Sequence, residues 1–173
     1  MAIAVRRLRA DDDRSRFRSG NIDLDRFFQR FAGQNQFRHH VGTTYVAVED
    51  GAILGFATVA PSEIAVDGLP ENRRKHLPRY PLPVLRLARV AADEEARGRG
   101  VGATLLRAVF TLALQMADDF GCVGVVVDAK PDAIAFYEKL GFVPLQTRAG
   151  QLGDRPEPLP MFLELGAVPG SGS

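Results

Sequence analysis

The chain has 173 residues, 46% apolar, 25% charged and 8% aromatic, with a formal charge of +1 and one cysteine. Those values fit one globular domain and exclude wholesale disorder, collagen, a coiled coil, a disulfide framework and a multi-cysteine metal site. No apolar run approaches the roughly 20 residues of a membrane span, and the start MAIAVRRLRADDDRSR lacks a signal-peptide core, so the expectation is a cytoplasmic protein without a membrane partner.

Ile3 to Arg9 reads as a first strand. Asn21 is a candidate N-cap for a helix carrying Leu24, Phe27, Phe28 and Phe31 as its core face. Thr43 to Val48 and Ile53 to Ala60 flank Asp50-Gly51, a hairpin signal. A proline-rich, basic connection from Pro61 to Pro83 follows, long enough to suggest function or mobility. Val84 to Ala91 predicts a strand, and Val101 to about Phe120 a helix with Leu105, Leu106, Val109, Leu112, Ala113 and Met116 inward. Cys122 to Val127 predicts a strand buried on both faces, and strand, helix and strand together predict a right-handed parallel unit. A short helix from Pro131 to Leu140 stops at Gly141. Phe142 to Leu145 and Met161 to Leu165 then predict closing strands around a polar loop, Gln146 to Pro158. The order indicates a mixed α/β sheet.

The near-neutral charge is a sum of unlike halves. Arginine outnumbers lysine 19 to 3; residues 1–91 hold 15 Lys and Arg against 10 Asp and Glu, residues 92–173 hold 7 against 11. An arginine-rich half suits a polyanion, because guanidinium grips phosphate with a planar fork of donors. A solvated surface and codon usage explain the same composition.

The informative segment is Arg97-Gly98-Arg99-Gly100-Val101-Gly102. Three glycines in five positions let the backbone turn tightly, and their N–H groups at a helix start form a nest for a pyrophosphate. A P-loop is excluded, since Ala103-Thr104 stand where Lys and Ser/Thr are needed. A dinucleotide fold fits Gly98, Gly100 and Ala103 loosely, but the polar run Asp93 to Arg97 separates them from the strand.

Together with the later run Phe136-Tyr137-Glu138-Lys139-Leu140-Gly141-Phe142, this turn resembles the signature of the GNAT superfamily of N-acetyltransferases. The resemblance implies one GNAT domain over 1–166 with a flexible tail at 167–173, and a mixed central sheet flanked by helices whose splayed parallel strands bind acetyl-CoA. It implies that pantetheine pairs with the backbone near Val90 and Ala92, and that the pyrophosphate rests on Arg97, Gly98, Arg99, Gly100 and Gly102. Tyr137 then donates to the departing sulfur. No metal is implied. Phe17-Arg18-Ser19-Gly20, Leu24-Asp25, Leu77 to Pro81, Leu87-Ala88-Arg89 and Val127 to Lys130 further resemble acetyltransferase toxins of bacterial toxin–antitoxin pairs. Those enzymes acetylate the α-amine of aminoacyl-tRNA and are held in check by an antitoxin, so the resemblance implies that substrate and a ribbon-helix-helix antitoxin; a homodimer is a candidate assembly that the sequence leaves open.

From Leu82 to Ala92 the chain has no carboxylate or histidine to act as general base. An α-amine near pKa ~8 needs little help to deprotonate, unlike a lysine amine near ~10.4. Arg73, Arg74, Lys75 and Arg79, with Arg6, Arg7 and Arg9, are candidate phosphate contacts. A small amine or a protein N-terminus is the alternative acceptor, and a non-catalytic acyl-CoA-binding module the alternative class. His39, His40 and His76 read as surface, with His76 in the basic connection an alternative base, Cys122 as core, and Glu63 and Asp128 as polar site candidates without an assigned role.

Overall fold

Asp50 and Gly51 both adopt positive φ, 51° and 80°, which is the backbone of a two-residue hairpin turn matched to the twist of its strands. They join β2 (Thr43–Glu49) to β3 (Ala52–Ile64) in an antiparallel pair running from Thr43↔Val59 to Glu49↔Ala52, with a bulge at Ala47/Val48. β1 (Ala4–Arg7) adds antiparallel to β2, Ala4 opposite Val48 and Arg7 opposite Tyr45. The computed structural model describes residues 2–69, 71–75, 77–145 and 158–167. Among these residues seven strands follow the hydrogen-bonded order β1-β2-β3-β4-β5-β7-β6. This is the mixed α/β sheet that the sequence predicts.

Packing divides the chain into two units, residues 1–60 with 87–111 and residues 61–86 with 112–173. The first has a phenylalanine core. Phe28 stacks on Phe56 at 4.5 Å between centroids, and Phe17 meets both edge-on at 4.8 and 5.5 Å. Leu8, Phe27, Ala32 and Val46 complete the cluster. Asn21 caps α1 (Ile22–Arg26), its side chain accepting from the Leu24 N–H at 3.0 Å. The helical path then passes through two π turns, Phe27–Phe31 and Asn35–His39, on either side of α2 (Ala32–Gln34). Bonding to i+5 adds a residue per turn and rotates the side chains beyond it. Phe31 is consequently 45% exposed, which corrects the expectation that it shares the buried face of Phe27 and Phe28.

In the second unit β5 (Gly124–Ala129) pairs antiparallel with β7 (Leu159–Glu164), and β6 (Val143–Pro144) pairs with β7. Leu69, Leu82, Val84, Val126 and Phe162 form its core. The long proline-rich connection is shorter than its composition suggests. β3 continues through Pro61 to Ile64, and β4 (Leu82–Ala92) has begun before Pro83. Pro83 contributes only its carbonyl, which accepts from the Val123 N–H at 2.9 Å, so its missing donor is not felt. Between them lie a 3-10 turn, Val66–Gly68, and α3 (Glu71–Arg74). The Val123–Pro83 bond and, further along, the Arg86–Asp128 ion pair show that β4 and β5 run in one direction.

The crossover between them is α4 (Val101–Asp119). On length and composition alone α4 is apolar enough to cross a membrane, which corrects the expectation of no such run. Its Leu105, Leu106, Val109, Phe110 and Ala113 are buried in the protein, as a core helix requires. α5 (Ile134–Lys139) comes after a 3-10 turn begun by Pro131, and Gly141 with φ 99° lies just past its end. Residues 146–157 of the expected polar loop and 168–173 of the expected tail lie outside the described residues.

Gly55 sets how closely β3 meets the first turn of α4. A Cβ there would stand 2.6 Å from Val101 Cγ1 and 2.8 Å from the Ala91 carbonyl. Gly55→Ala should therefore cost about 1–3 kcal/mol, read as a lowered Tm in thermal denaturation.

Candidate active site

β4 ends at Ala92, and the next residue organises the turn that leads into α4. Asp93 donates its N–H to the Leu54 carbonyl at 2.8 Å and accepts from the Ala96 N–H on its own carbonyl at 3.0 Å. Its carboxylate accepts from the Glu95 N–H at 2.9 Å, capping the 3-10 turn Glu94–Ala96, and from the Arg18 N–H at 3.1 Å. Arg18 returns its carbonyl to the Glu94 N–H at 2.8 Å. The Phe17–Gly20 motif thus serves as a brace for the glycine turn. Ser19 is locked in turn by Asp25, which accepts from its N–H at 2.9 Å and its hydroxyl at 2.7 Å.

Past this brace the chain enters the left-handed region twice, at Gly98 with φ 81° and Gly100 with φ 74°. Nothing lies within 4 Å of where either Cβ would be, so backbone conformation, not crowding, demands glycine there. The open space also leaves room for a ligand. Thr104 makes the first helical bond, to the Gly100 carbonyl at 3.0 Å, so the N–H groups of Val101, Gly102 and Ala103 precede it and are left for an anion. Arg97 is 68% exposed and holds the Ser19 carbonyl at 3.2 Å. Arg99 is bound to both carboxylate oxygens of Glu49, at 2.8 and 2.7 Å, and this hydrogen bonding holds the Glu49 carboxyl below its ordinary range. Val90 and Ala92, at the end of β4, alternate with Ala91, which packs on the phenylalanine cluster, so they occupy the opposite face.

Tyr137 lies on α5 in the second unit. Its ring meets Phe136 and Phe142 edge-on, both at 5.3 Å, and the residue is 3% exposed. No hydrogen bond to its hydroxyl occurs among the described residues, and no fully buried side-chain oxygen there lacks a partner. The ring of Tyr137 is enclosed. Burial pushes its pKa up to about 12, so it is a neutral hydrogen-bond donor throughout the physiological range.

The cations separate into engaged and open. Arg6 is tied to Asp12 at 2.9 and 2.8 Å, and that bond lowers the Asp12 pKa, whereas Arg7 and Arg9 are exposed. Arg74, Lys75 and Arg79 line a cavity of about 610 Å³ with Val66, Asp67, Glu71 and Leu77. The connection carrying it enters β4 at Leu82, near the Val123 end of β5, while Tyr137 comes after the other end. The Arg73 side chain and His76 lie outside the described residues; His39 and His40 are exposed. Asp128 is paired with Arg86, and Glu63 is exposed on β3. Among the described residues no group of three His, Cys, Asp or Glu is arranged to hold a metal. Sequence reasoning did not assign Asp93, Ser19 or Glu49, whose roles depend on contacts remote in the chain.

Asp93→Ala removes two capping acceptors and should lower stability by about 1–2 kcal/mol, measured by denaturant unfolding. Alkaline titration of tyrosinate absorbance should contain a component near 12 that is missing from Tyr137→Phe. The raised pKa favours the folded state below the ordinary phenol value, a contribution lost as pH climbs from there through about 12.

The model of the Acetyltransferase (GNAT) domain matches residues 40–144. The tRNA-acetylating toxin of Mycobacterium tuberculosis is 34% identical over 140 residues, covering 80% of this chain and 83% of that protein. Among solved structures, AtaT complexed with acetyl-methionyl-tRNAfMet is similar with TM-score 0.83 and 25% identity, covering 96% of this chain and 97% of that one. A Tyr-to-Phe variant of AtaT bound to the C-terminus of the antitoxin AtaR and acetyl-CoA shares the fold, with TM-score 0.75 and 23% identity over 97% of this chain and 96% of that one. A glycine turn at the start of α4, a buried tyrosine on α5 and a family match spanning both lead to one conclusion: this chain belongs to the GNAT acetyltransferase family.

Proposed function

We propose that the protein transfers acetyl from acetyl-CoA to the α-amine of an aminoacyl-tRNA, blocking its use in translation. The observation that carries this reading is the 34% identity to a tRNA-acetylating toxin over 80% of the chain. Similarity to AtaT in complex with acetyl-methionyl-tRNAfMet supports the same acceptor class. That acceptor implies the cytoplasm as the place of action, and similarity to acetyltransferase toxins supports a ribbon-helix-helix antitoxin as the restraining partner.

In the proposed reaction the free Val101, Gly102 and Ala103 N–H groups, with Gly98 and Gly100 giving backbone access, receive the pyrophosphate of acetyl-CoA. Backbone near Val90 and Ala92 pairs with the pantetheine arm. The neutral amine attacks the acetyl carbonyl carbon, forming the C–N bond. The C–S bond then breaks, leaving an amide and CoA. With Tyr137 at about 12 and a thiol near ~8.5, full proton transfer from phenol to thiolate is uphill by roughly 5 kcal/mol. Tyr137 therefore acts by donating a hydrogen bond to sulfur as charge develops there, and the proton shed by the amine leaves to solvent. No carboxylate or histidine from Leu82 to Ala92 takes that proton, consistent with an acceptor whose amine is largely neutral near pH ~8.

Incubation with acetyl-CoA and charged tRNA should yield N-acetyl-aminoacyl-tRNA, identified by mass spectrometry of the released aminoacyl group. Rate should rise with pH as the amine of the acceptor deprotonates, with no alkaline loss from Tyr137 below about 12. Tyr137→Phe should lower kcat about 10²–10⁴-fold and leave the fold intact, since its ring contacts with Phe136 and Phe142 persist. Acetylation of free small amines in preference to charged tRNA would overturn the reading.

A further inference from the structure

We propose that Arg89 grips a phosphate of the acceptor's nucleic-acid strand, held in readiness by the ring of Phe27. This rests on the proposed aminoacyl-tRNA acceptor and names one residue that would serve it.

Arg89 stands on β4, shortly before the Asp93 brace and the glycine turn. Its guanidinium carbon lies 3.9 Å from the centroid of the Phe27 ring. Phe27 is itself tightly packed: it is 6% exposed, opens the first π turn and belongs to the phenylalanine cluster. The contact fixes a long side chain that would otherwise lose rotamer freedom when it met a ligand.

The rest of Arg89 is open. The residue is exposed, and among the described residues its guanidinium makes no hydrogen bond or ion pair. Other arginines differ: Arg86 on the same strand is paired with Asp128, Arg99 with Glu49 and Arg6 with Asp12. The Arg89 guanidinium sits over an aromatic ring, and its N–H donors remain unspent among the described residues. That fork matches two oxygens of a phosphate.

The chemistry of the acceptor selects the anion. In an aminoacyl-tRNA the α-carboxyl of the amino acid is esterified and uncharged, so the anions common to every such acceptor are the phosphates of its strand. The pyrophosphate of acetyl-CoA is the other phosphate source, and the experiment separates the two.

Arg89→Gln, Arg89→Lys and Phe27→Leu are assayed with charged tRNA and with aminoacyl-adenosine, which carries the same ester and amine but no phosphodiester. Thermal denaturation confirms that each variant is folded. For Arg89→Gln we expect KM for charged tRNA to rise about tenfold, with kcat and the KM for acetyl-CoA unchanged. The slope of log(kcat/KM) against log salt should flatten by about 0.7. Aminoacyl-adenosine should be acetylated as by wild type. Arg89→Lys should recover part of the loss, and Phe27→Leu should show the same split more weakly. Equal loss on both acceptors, a raised KM for acetyl-CoA, or an unchanged salt slope overturns the proposal alone. A wild-type enzyme with no preference for charged tRNA over aminoacyl-adenosine overturns the aminoacyl-tRNA reading and this proposal together.

Discussion

Asp93 is the residue on which the glycine turn depends. In one position it ends β4, bonds to β3 through Leu54, caps the adjoining 3-10 turn and seizes the backbone of Arg18. Each bond alone is worth about 1 kcal/mol. Their joint effect is geometric, because they fix where the chain leaves the sheet and so where α4 begins. The N–H groups that begin that helix can converge on one anion only if its first turn is held still. The constraint also explains why two segments far apart in sequence, 17–25 and 93–97, are bound to each other so closely.

The same economy of contacts organises the charges. An arginine-rich chain of net +1 looks like a diffuse cationic surface, yet many guanidinium groups are consumed internally. Arg14 holds the Phe28 carbonyl, Arg18 the carbonyls of Ser15 and Phe17, Arg97 that of Ser19. Arginine here is partly a structural fastener for irregular backbone, and the residues left open are fewer than composition implies. Asp12 illustrates the cost of losing such a pair: its carboxyl is held low by Arg6, so the stability it contributes above the ordinary carboxylate range is lost as pH falls through its folded value.

Much of the fold was readable in the chain. Asp50-Gly51, the Asn21 cap and the glycine stop at 141 are local signals, and each matches its element. The left-handed glycines of the turn, Gly98 and Gly100, were legible for a similar reason, as residue type at short spacing, whereas Tyr137 was singled out only by the resemblance to GNAT acetyltransferases. What escaped was long-range. Phe31 was misplaced because π turns have no clear periodic signature, and the connection after β3 was overestimated because prolines can occupy strands where only a carbonyl is needed. The long-range parts played by Glu49, Ser19 and Asp93 could not be read from spacing, as Arg99, Arg97 and Arg18 lie 50 to 78 positions from them.

Cys122 is the chain's one thiol, and it is buried just before β5. Its Sγ donates to the Gly124 carbonyl at 3.2 Å, and desolvation pushes its pKa above the ordinary thiol value. Buried and protonated, it is a poor target for alkylating or disulfide-forming reagents. An electrophilic dye added to a working reaction should thus read sulfur released from the thioester against a silent protein background.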